Sequence, residues 1–384
     1  MTHRMSSVQL PVIPIVGELI REHPGTISLG QGVVNYGPPP SALERMNDFF
    51  KESENHKYKP VEGIAPLLEA LAAKLAAQNR VAVNERNRLV VTAGGNMAFM
   101  NAILAIADPG DEIVLLAPFY FNHEMAVCMA DCKPVIVWTD ENFQPRLDAI
   151  AAAITPRTRA IVTISPNNPT GAVYSEESLR AINSLCRERG VYHISDEAYE
   201  DFVYGNAAHF SSASIPGAAP HTISLYSLSK SYGFASWRVG YMLIPEHLFV
   251  SIKKIQDTIL ICPPVISQYA ALGALDGGSN YVRERVKEIE ATRAHVREAL
   301  QSVQDICRIP RADGALYFFL YVNAPLKPMQ LVERLVKEHR VAAIPGDAFG
   351  ATDCCSLRIS FGALKRETVE EGIGRLASGL RALI

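Results

Sequence analysis

Cysteine is sparse in this chain and follows no pattern. Its seven cysteines form an odd set without C-x-x-C spacing, and Cys354 and Cys355 are adjacent. That speaks against a disulfide framework or a zinc site and makes a reducing cytoplasm the expectation. No stretch reaches the roughly 18 apolar residues that a membrane helix needs. The opening "MTHRMSSVQLPVIPIVGELIREHPG" has no long apolar run followed by small residues, so no signal peptide is expected. Positive charge is not in excess either. Lysine and arginine number 37 against 40 acids, a net charge of -3, which implies no polybasic surface for nucleic acid or anionic lipid. Despite 25 glycines and 24 prolines there is no low-complexity tract and no internal repeat.

What is present is globular. The 384 residues are 48% hydrophobic and 20% charged, enough for one large domain and a smaller one. From about residue 88 to 244, short apolar runs alternate with helical stretches. "RLVVTAG", "DEIVLLA", "KPVIVWT", "TRAIVTIS", "VYHIS" and "TISLYS" read as strands. "NMAFMNAILAIADPG", "NHEMAVCMA" and "SEESLRAINSLCRERG" read as helices, the last capped by Ser175 and stopped by Gly190. Near-continuous apolar strands alternating with helices predict an α/β fold with a mostly parallel sheet covered on both faces.

The remainder has another texture. A long charged helix, "SNYVRERVKEIEATRAHVREALQSV", precedes "ALYFFLYV", "PMQLVERLVKEHR", "VAAIPG", "SLRISFG" and a terminal helix, which together predict a smaller α+β unit. The expected division is an N-terminal arm over 1–40, a large domain over 41–280 and a small domain over 281–384.

Ligands of open α/β sheets bind beyond the carboxyl ends of the strands. Polar and glycine residues recur at those ends: "TAGGN", "APFYFNH", "SPNNPTG", "SDEAY" and "SLSK". Any one of them reads as turn chemistry; their recurrence on one edge favours a site. Gly94, Gly95 and Asn96 join a strand to a helix, where free N–H groups suit an anion such as phosphate. Ser227 and Arg238 could complete that cup, since a guanidinium grips phosphate as a fork. Asp196 ends a strand and reads either as a helix cap or as a counter-ion for a ring nitrogen. Lys230 is either a solvated loop lysine or an amine whose pKa is lowered by burial and by Arg238. The second form condenses with an aldehyde.

"YKPVEGIAPLLEAL", "VTAGGNMAF", "SPNNPTGAVY", "SDEAYEDF", "SLSKSYGFASWRVGY" and "LRISFG" occur in this order from Tyr58 to Gly362. The set resembles the class I and II aminotransferases, pyridoxal 5'-phosphate (PLP) enzymes of fold type I. The resemblance implies a seven-stranded-type sheet and a homodimer with its sites at the subunit interface. It implies that Lys230 holds PLP covalently and then shuttles the proton at the substrate Cα. Asp196 would pair with the pyridine nitrogen, while Tyr199 and Asn168 would bond the phenolic oxygen. Gly95, Asn96, Ser227 and Arg238 would hold the phosphate, joined by Tyr58 of the neighbouring subunit. Tyr120 would stack on the ring. Arg358 would clamp the substrate carboxylate, helped by Asn168 and by the close approach of backbone at Gly32.

The substrate side chain is the open part. No arginine lies between residues 239 and 282, where aspartate-specific relatives carry one, and Asp257 is nearest that position. The stretch resembles aromatic and broad-specificity relatives. Val33, Val34, Asn35 and Tyr36, with residues 259–261, would line a mostly apolar pocket, and His123 could face it or be structural. The expected reaction is therefore transamination of a neutral or aromatic L-amino acid with a 2-oxo acid. A PLP lyase of the cysteine-conjugate type, a decarboxylase or an oxidase on the same fold is the alternative. A non-catalytic regulator is disfavoured, because "YKP" by residue 58 leaves no room for a DNA-binding domain.

Overall fold

The apolar runs between residues 87 and 245 pack side by side in the computed structural model, which describes residues 3–384. They form one seven-stranded sheet. Across it the strands are Asn87–Thr92, Gly240–Pro245, Thr222–Ser227, Tyr192–Asp196, Thr158–Ile164, Glu112–Ala117 and Lys133–Trp138. All neighbours are parallel except Gly240–Pro245, which is antiparallel to both of its partners.

Alternation along the strands explains the two covered faces. Val90, Ile194, Leu225 and Met242 are buried in one layer with Phe99 and Ile252, from helices Gly95–Ile106 and Phe249–Leu260. Val91, Tyr226 and Tyr241 turn the other way, against Leu67 and Leu71 of helix Ala65–Lys74 and Ala270 of helix Val265–Asp276. Each fully buried aliphatic side chain contributes about 1.5–3 kcal/mol relative to exposure, before the entropy of ordering the chain is set against it. Ser175 caps helix Glu176–Arg189 by accepting from the Ser178 N–H at 3.1 Å, and Gly190 ends it at φ +67°.

The second sheet is antiparallel, in the order Ile344–Pro345, Ser356–Ser360, Tyr317–Val322 and Cys307–Arg308. Helices Ser279–Leu300, Pro328–His339 and Arg366–Leu383 pack with it. The N-terminal segment contains a helix, Val12–Glu22, whose Val12 and Val16 share this core. "VAAIPG" is not one strand. Val341–Ala342 pairs in parallel with Ile27–Ser28 of the N-terminal segment, and Ile344–Pro345 pairs with Ser356–Ser360. The chain changes partner at Ala343, between the two pairings. Among the described residues no helix is long and apolar enough to cross a membrane.

Strand direction positions the site. Thr92, Ala117, Ile164, Asp196 and Ser227 end parallel strands and therefore share one edge. Gly240 begins the antiparallel strand at that edge, opposite both Thr92 and Ser227. Arg238, two residues earlier, is delivered to the same place.

Candidate active site

Beyond that edge lies an inner cavity of about 130 Å³, lined by Gly95, Asn96, Asp196, Ser227, Lys230 and Arg238 and bounded by Tyr120, Asn168 and Tyr199. Nine of the residues singled out from the sequence thus meet in one place. Helix Gly95–Ile106 starts here with Gly94 at φ +85° and no side-chain cap, so its first N–H groups remain available. A Cβ on Gly94 would fall on the Arg238 guanidinium, so only glycine lets that group lie over the helix start. Arg238 is held there by Nη1 on the Ala235 carbonyl at 2.9 Å and Nη2 on the Ala93 carbonyl at 3.1 Å. Ser227 caps the short helix Leu228–Ser231 by accepting the Ser229 N–H at 3.2 Å.

Lys230 stands on that helix. Burial, with Arg238 and then Arg358 as like charges, brings its amine down to about 8, and Asp196 opposes the shift. Among the described residues no carboxylate forms an ion pair with Lys230, Arg238 or Arg358. The cleft therefore concentrates positive charge that the protein itself leaves unbalanced, which is the electrostatic signature of an anion site.

Among the described residues, Asp196 supplies the one carboxylate that lines the inner cavity. Its Oδ1 accepts the Ala198 N–H at 3.0 Å, and its Oδ2 lies 3.1 Å from His123 Nε2. His123 is buried on helix Phe121–Met129 and stacks on Phe99 at 3.8 Å between ring centroids. Its Nδ1 is buried without a partner, so the proton belongs on Nε2, pointing at Asp196. His123 thus does not face a substrate side chain; its place is behind the aspartate.

An outer cavity of about 320 Å³ adjoins the first, sharing Tyr120, Asn168, Tyr199 and Lys230 with it. Arg358 forms its floor from strand Ser356–Ser360. Nη1 donates to Asn168 Oδ1 at 2.9 Å and Nη2 to the Gly30 carbonyl at 2.6 Å. The guanidinium lies over Tyr317 at 4.5 Å and Phe349 at 5.0 Å, and its buried Nε has no protein partner. Gly32 is next to it, where a Cβ would come within 2.6 Å of the Tyr317 hydroxyl.

Two expectations need correction. Of the N-terminal stretch, Gln31, Gly32 and Val33 line this cavity but Val34, Asn35 and Tyr36 do not. Val34 packs into the core, Asn35 donates to the Leu364 carbonyl, and Tyr36 donates to the carbonyl of Lys230. Residues 259–261 and Asp257 do not line the cavity of their own chain; Ile259 is 55% exposed. Tyr58, expected at the neighbouring subunit's phosphate, lies outside both cavities of its own chain and is 78% exposed. A wider surface groove of about 530 Å³, near Tyr174 and Asn206, involves none of the expected residues.

Sequence reasoning missed Tyr317. Its hydroxyl meets that of Tyr199 at 2.5 Å, and burial pushes both phenols upward, Tyr199 well above its usual range. It missed Pro11, Ile13, Pro14, Phe121 and Asn122 of the outer cavity too. Asn122 donates to the Tyr120 hydroxyl at 2.8 Å, and burial pushes that phenol up to about 12.

PLP can be tested against these residues. It is an aromatic aldehyde with a phosphate, a ring nitrogen and a phenolic oxygen. The inner cavity offers an uncapped helix start with Arg238 for the phosphate, Asp196 for the nitrogen, Tyr199 and Asn168 for the oxygen, and a lysine with a lowered pKa for the aldehyde. The residues fit the group.

Comparison with known proteins agrees. The family model described as aminotransferase class I and II matches residues 24–376. An aromatic aminotransferase of Arabidopsis thaliana is 32% identical over 100% of this chain and 97% of its own length. An aspartate aminotransferase of Thermus thermophilus, solved as a double mutant, superposes with a TM-score of 0.90 at 31% identity over 99% of both chains. The aromatic aminotransferase of Pyrococcus horikoshii superposes at 0.87 with 30% identity, over 96% of this chain and all of its own. The chain belongs to the class I and II aminotransferases and is a PLP-dependent transaminase.

Proposed function

We propose that the chain transfers the amino group of a neutral or aromatic L-amino acid to a 2-oxo acid. The observation that carries this reading is the outer cavity. Beyond Lys230 and Arg358, its lining is uncharged: Pro11, Ile13, Pro14, Gly32, Val33 and Phe121, the phenols of Tyr120, Tyr199 and Tyr317, and the neutral amides of Gln31, Asn122 and Asn168. Arg358, buried between two rings with one nitrogen unpartnered, suits the α-carboxylate that every amino acid carries. Among the described residues no further cation lines the cavity to receive a side-chain carboxylate. The relatives are named for both aromatic and aspartate substrates, so the lining and not kinship favours the neutral class.

In this reading PLP, when bound, supplies the electron sink that makes the substrate Cα–H acidic. Gly95, Asn96, Ser227 and Arg238 hold its phosphate, and Asp196 keeps the ring nitrogen paired. Tyr199 and Asn168 bond the phenolic oxygen, and Tyr120 covers the ring. Lys230 anchors the cofactor and then moves a proton at Cα, a task suited to an amine brought down to about 8. Arg358, Asn168 and Gly32 fix the carboxylate and thereby the orientation of the Cα–H bond.

The finer organisation follows the same reading. The arm is 1–40, the large domain 41–280 and the small domain 281–384. Two chains form a homodimer in which Tyr58 reaches the partner's phosphate site; exposed Phe50, Tyr58, Val250 and Ile259 support a covered face. Sedimentation as a monomer at micromolar concentration would contradict that assembly. Seven unpaired cysteines support a cytoplasmic setting. The substrate class is tested by half-reaction spectroscopy on the PLP-loaded protein. Phenylalanine or tyrosine should bleach the cofactor band at lower concentration than aspartate. A clear preference for aspartate overturns the assignment, and release of ammonia and pyruvate from cysteine conjugates replaces it with the lyase.

A further inference from the structure

We infer that Tyr36 is a positioning residue for Lys230, tying the turn that carries the lysine to the N-terminal segment that walls the substrate cavity. The inference rests on the role of Lys230 given above. Tyr36 Oη donates to the Lys230 carbonyl at 2.9 Å and lies 3.5 Å from that of Ser231. Lys230 belongs to a four-residue helix whose last carbonyls are met only by the tight turn that follows, so an outside donor adds to the hold on that turn. The Lys230 carbonyl also receives the Gly233 N–H at 3.2 Å, and the Tyr232 N–H is shared between it and the Leu228 carbonyl.

The contact is built from several sides. The Tyr36 ring stands edge-on to Tyr281, 6.0 Å between centroids, with the Arg285 guanidinium 5.9 Å from its centre. Tyr281 in turn donates to the Gly37 carbonyl at 2.6 Å. Gly233 has φ +69°, and a Cβ there would come within 2.6 Å of both the Tyr36 and the Gly37 carbonyl oxygens. Residues 36–37 therefore lie flush on the lysine turn. From another direction, Ser231 Oγ donates to Asp201 Oδ2 at 2.5 Å. Burial, then Tyr281 and Asp201, push the Tyr36 phenol far up, so it stays a donor throughout the working pH range.

The other end of the same stretch holds the second cation. The Gly30 carbonyl accepts Arg358 Nη2 at 2.6 Å, and Gln31, Gly32 and Val33 wall the cavity between. Residues 30–37 form a strap with one end on the carboxylate-binding arginine and the other on the lysine backbone. Lys230 and Arg358 repel one another, so their spacing cannot be set by mutual contact. The strap sets it through backbone, and Tyr36 is its attachment at the lysine end.

Tyr36→Phe tests this, because it keeps the ring and its packing and removes only the O–H. In the cofactor-free protein, hydrogen–deuterium exchange over residues 228–234 should accelerate about fivefold, the weight of one ordinary hydrogen bond. In the PLP-loaded protein the pH midpoint of the cofactor absorbance should move and kcat should fall. KM for the amino donor should hold, since Arg358 and Gly32 are untouched. Exchange and midpoint both equal to wild type would overturn the role. Tyr281→Phe is the companion variant: it frees Gly37 but leaves the hydroxyl-to-carbonyl bond, so exchange over 228–234 should rise by less than about twofold. A rise matching that of Tyr36→Phe would assign the effect to general loosening and also overturn the role. Failure of wild type to take PLP on Lys230 would instead contradict the functional reading, and the cofactor-free exchange result separates the two.

Discussion

His123 holds its Nε2 3.1 Å from Asp196 Oδ2, while the Ala198 N–H occupies Oδ1 at 3.0 Å. The aspartate is thus oriented by two donors before any ligand arrives. Because the carboxylate keeps two lone-pair sites on each oxygen, it can still accept from a ring N–H in the cavity.

His123→Phe should weaken PLP binding. A hydrogen bond to a charged group is worth about 1.5–3 kcal/mol, so the dissociation constant should rise on the order of 10- to 100-fold. Phenylalanine retains the stacking on Phe99, which keeps the fold intact. Equilibrium titration of the cofactor-free protein measures this; an unchanged constant would remove His123 from the site.

The lysine makes a prediction about stability. Burial and its two arginine neighbours lower the native pKa of Lys230 from 10.5 to about 8, while the unfolded chain keeps the ordinary value. Below pH 8 both states are protonated and the native state carries the full penalty of a buried ammonium. Between 8 and 10.5 the unfolded state binds the extra proton, so stability rises with pH. The gain is on the order of 3 kcal/mol. In the cofactor-free protein, the melting temperature of wild type should climb relative to Lys230→Met over that window. Parallel curves for the two proteins contradict the lowered pKa.

Arg358→Lys should raise KM for amino donors about 10- to 100-fold and change kcat less. The guanidinium simultaneously serves Asn168, the Gly30 carbonyl and two aromatic faces, and an ammonium cannot reproduce that fork. Steady-state kinetics with the preferred donor decides the point, and an unchanged KM would take Arg358 out of substrate binding.

The strand-end residues were legible because they interrupt otherwise apolar runs. "TAGGN", "SDEAY" and "SLSK" place glycine, carboxylate and amine where burial alone would favour aliphatics, and parallel strands gather such ends on one edge. Other features have no local signature. Tyr317 is one aromatic among several in "ALYFFLYV", and only folding sets it against Tyr199, 118 residues earlier. Tyr36 reaches Lys230 across 194 residues, and Gly30 reaches Arg358 across 328. These contacts arise where the N-terminal segment and the smaller sheet close over the large one. Helical or strand periodicity carries no information about that apposition. The same applies to "VAAIPG", which reads as one strand but serves two partners because the N-terminal segment docks beside it.

The most direct test of the account is to locate the cofactor. Borohydride reduction of the PLP-loaded protein, followed by peptide mass spectrometry, should place the reduced PLP on the peptide containing Lys230. Lys230→Ala should leave no reducible linkage and no turnover. Attachment at another lysine, or ordinary transamination by Lys230→Ala, would contradict the account.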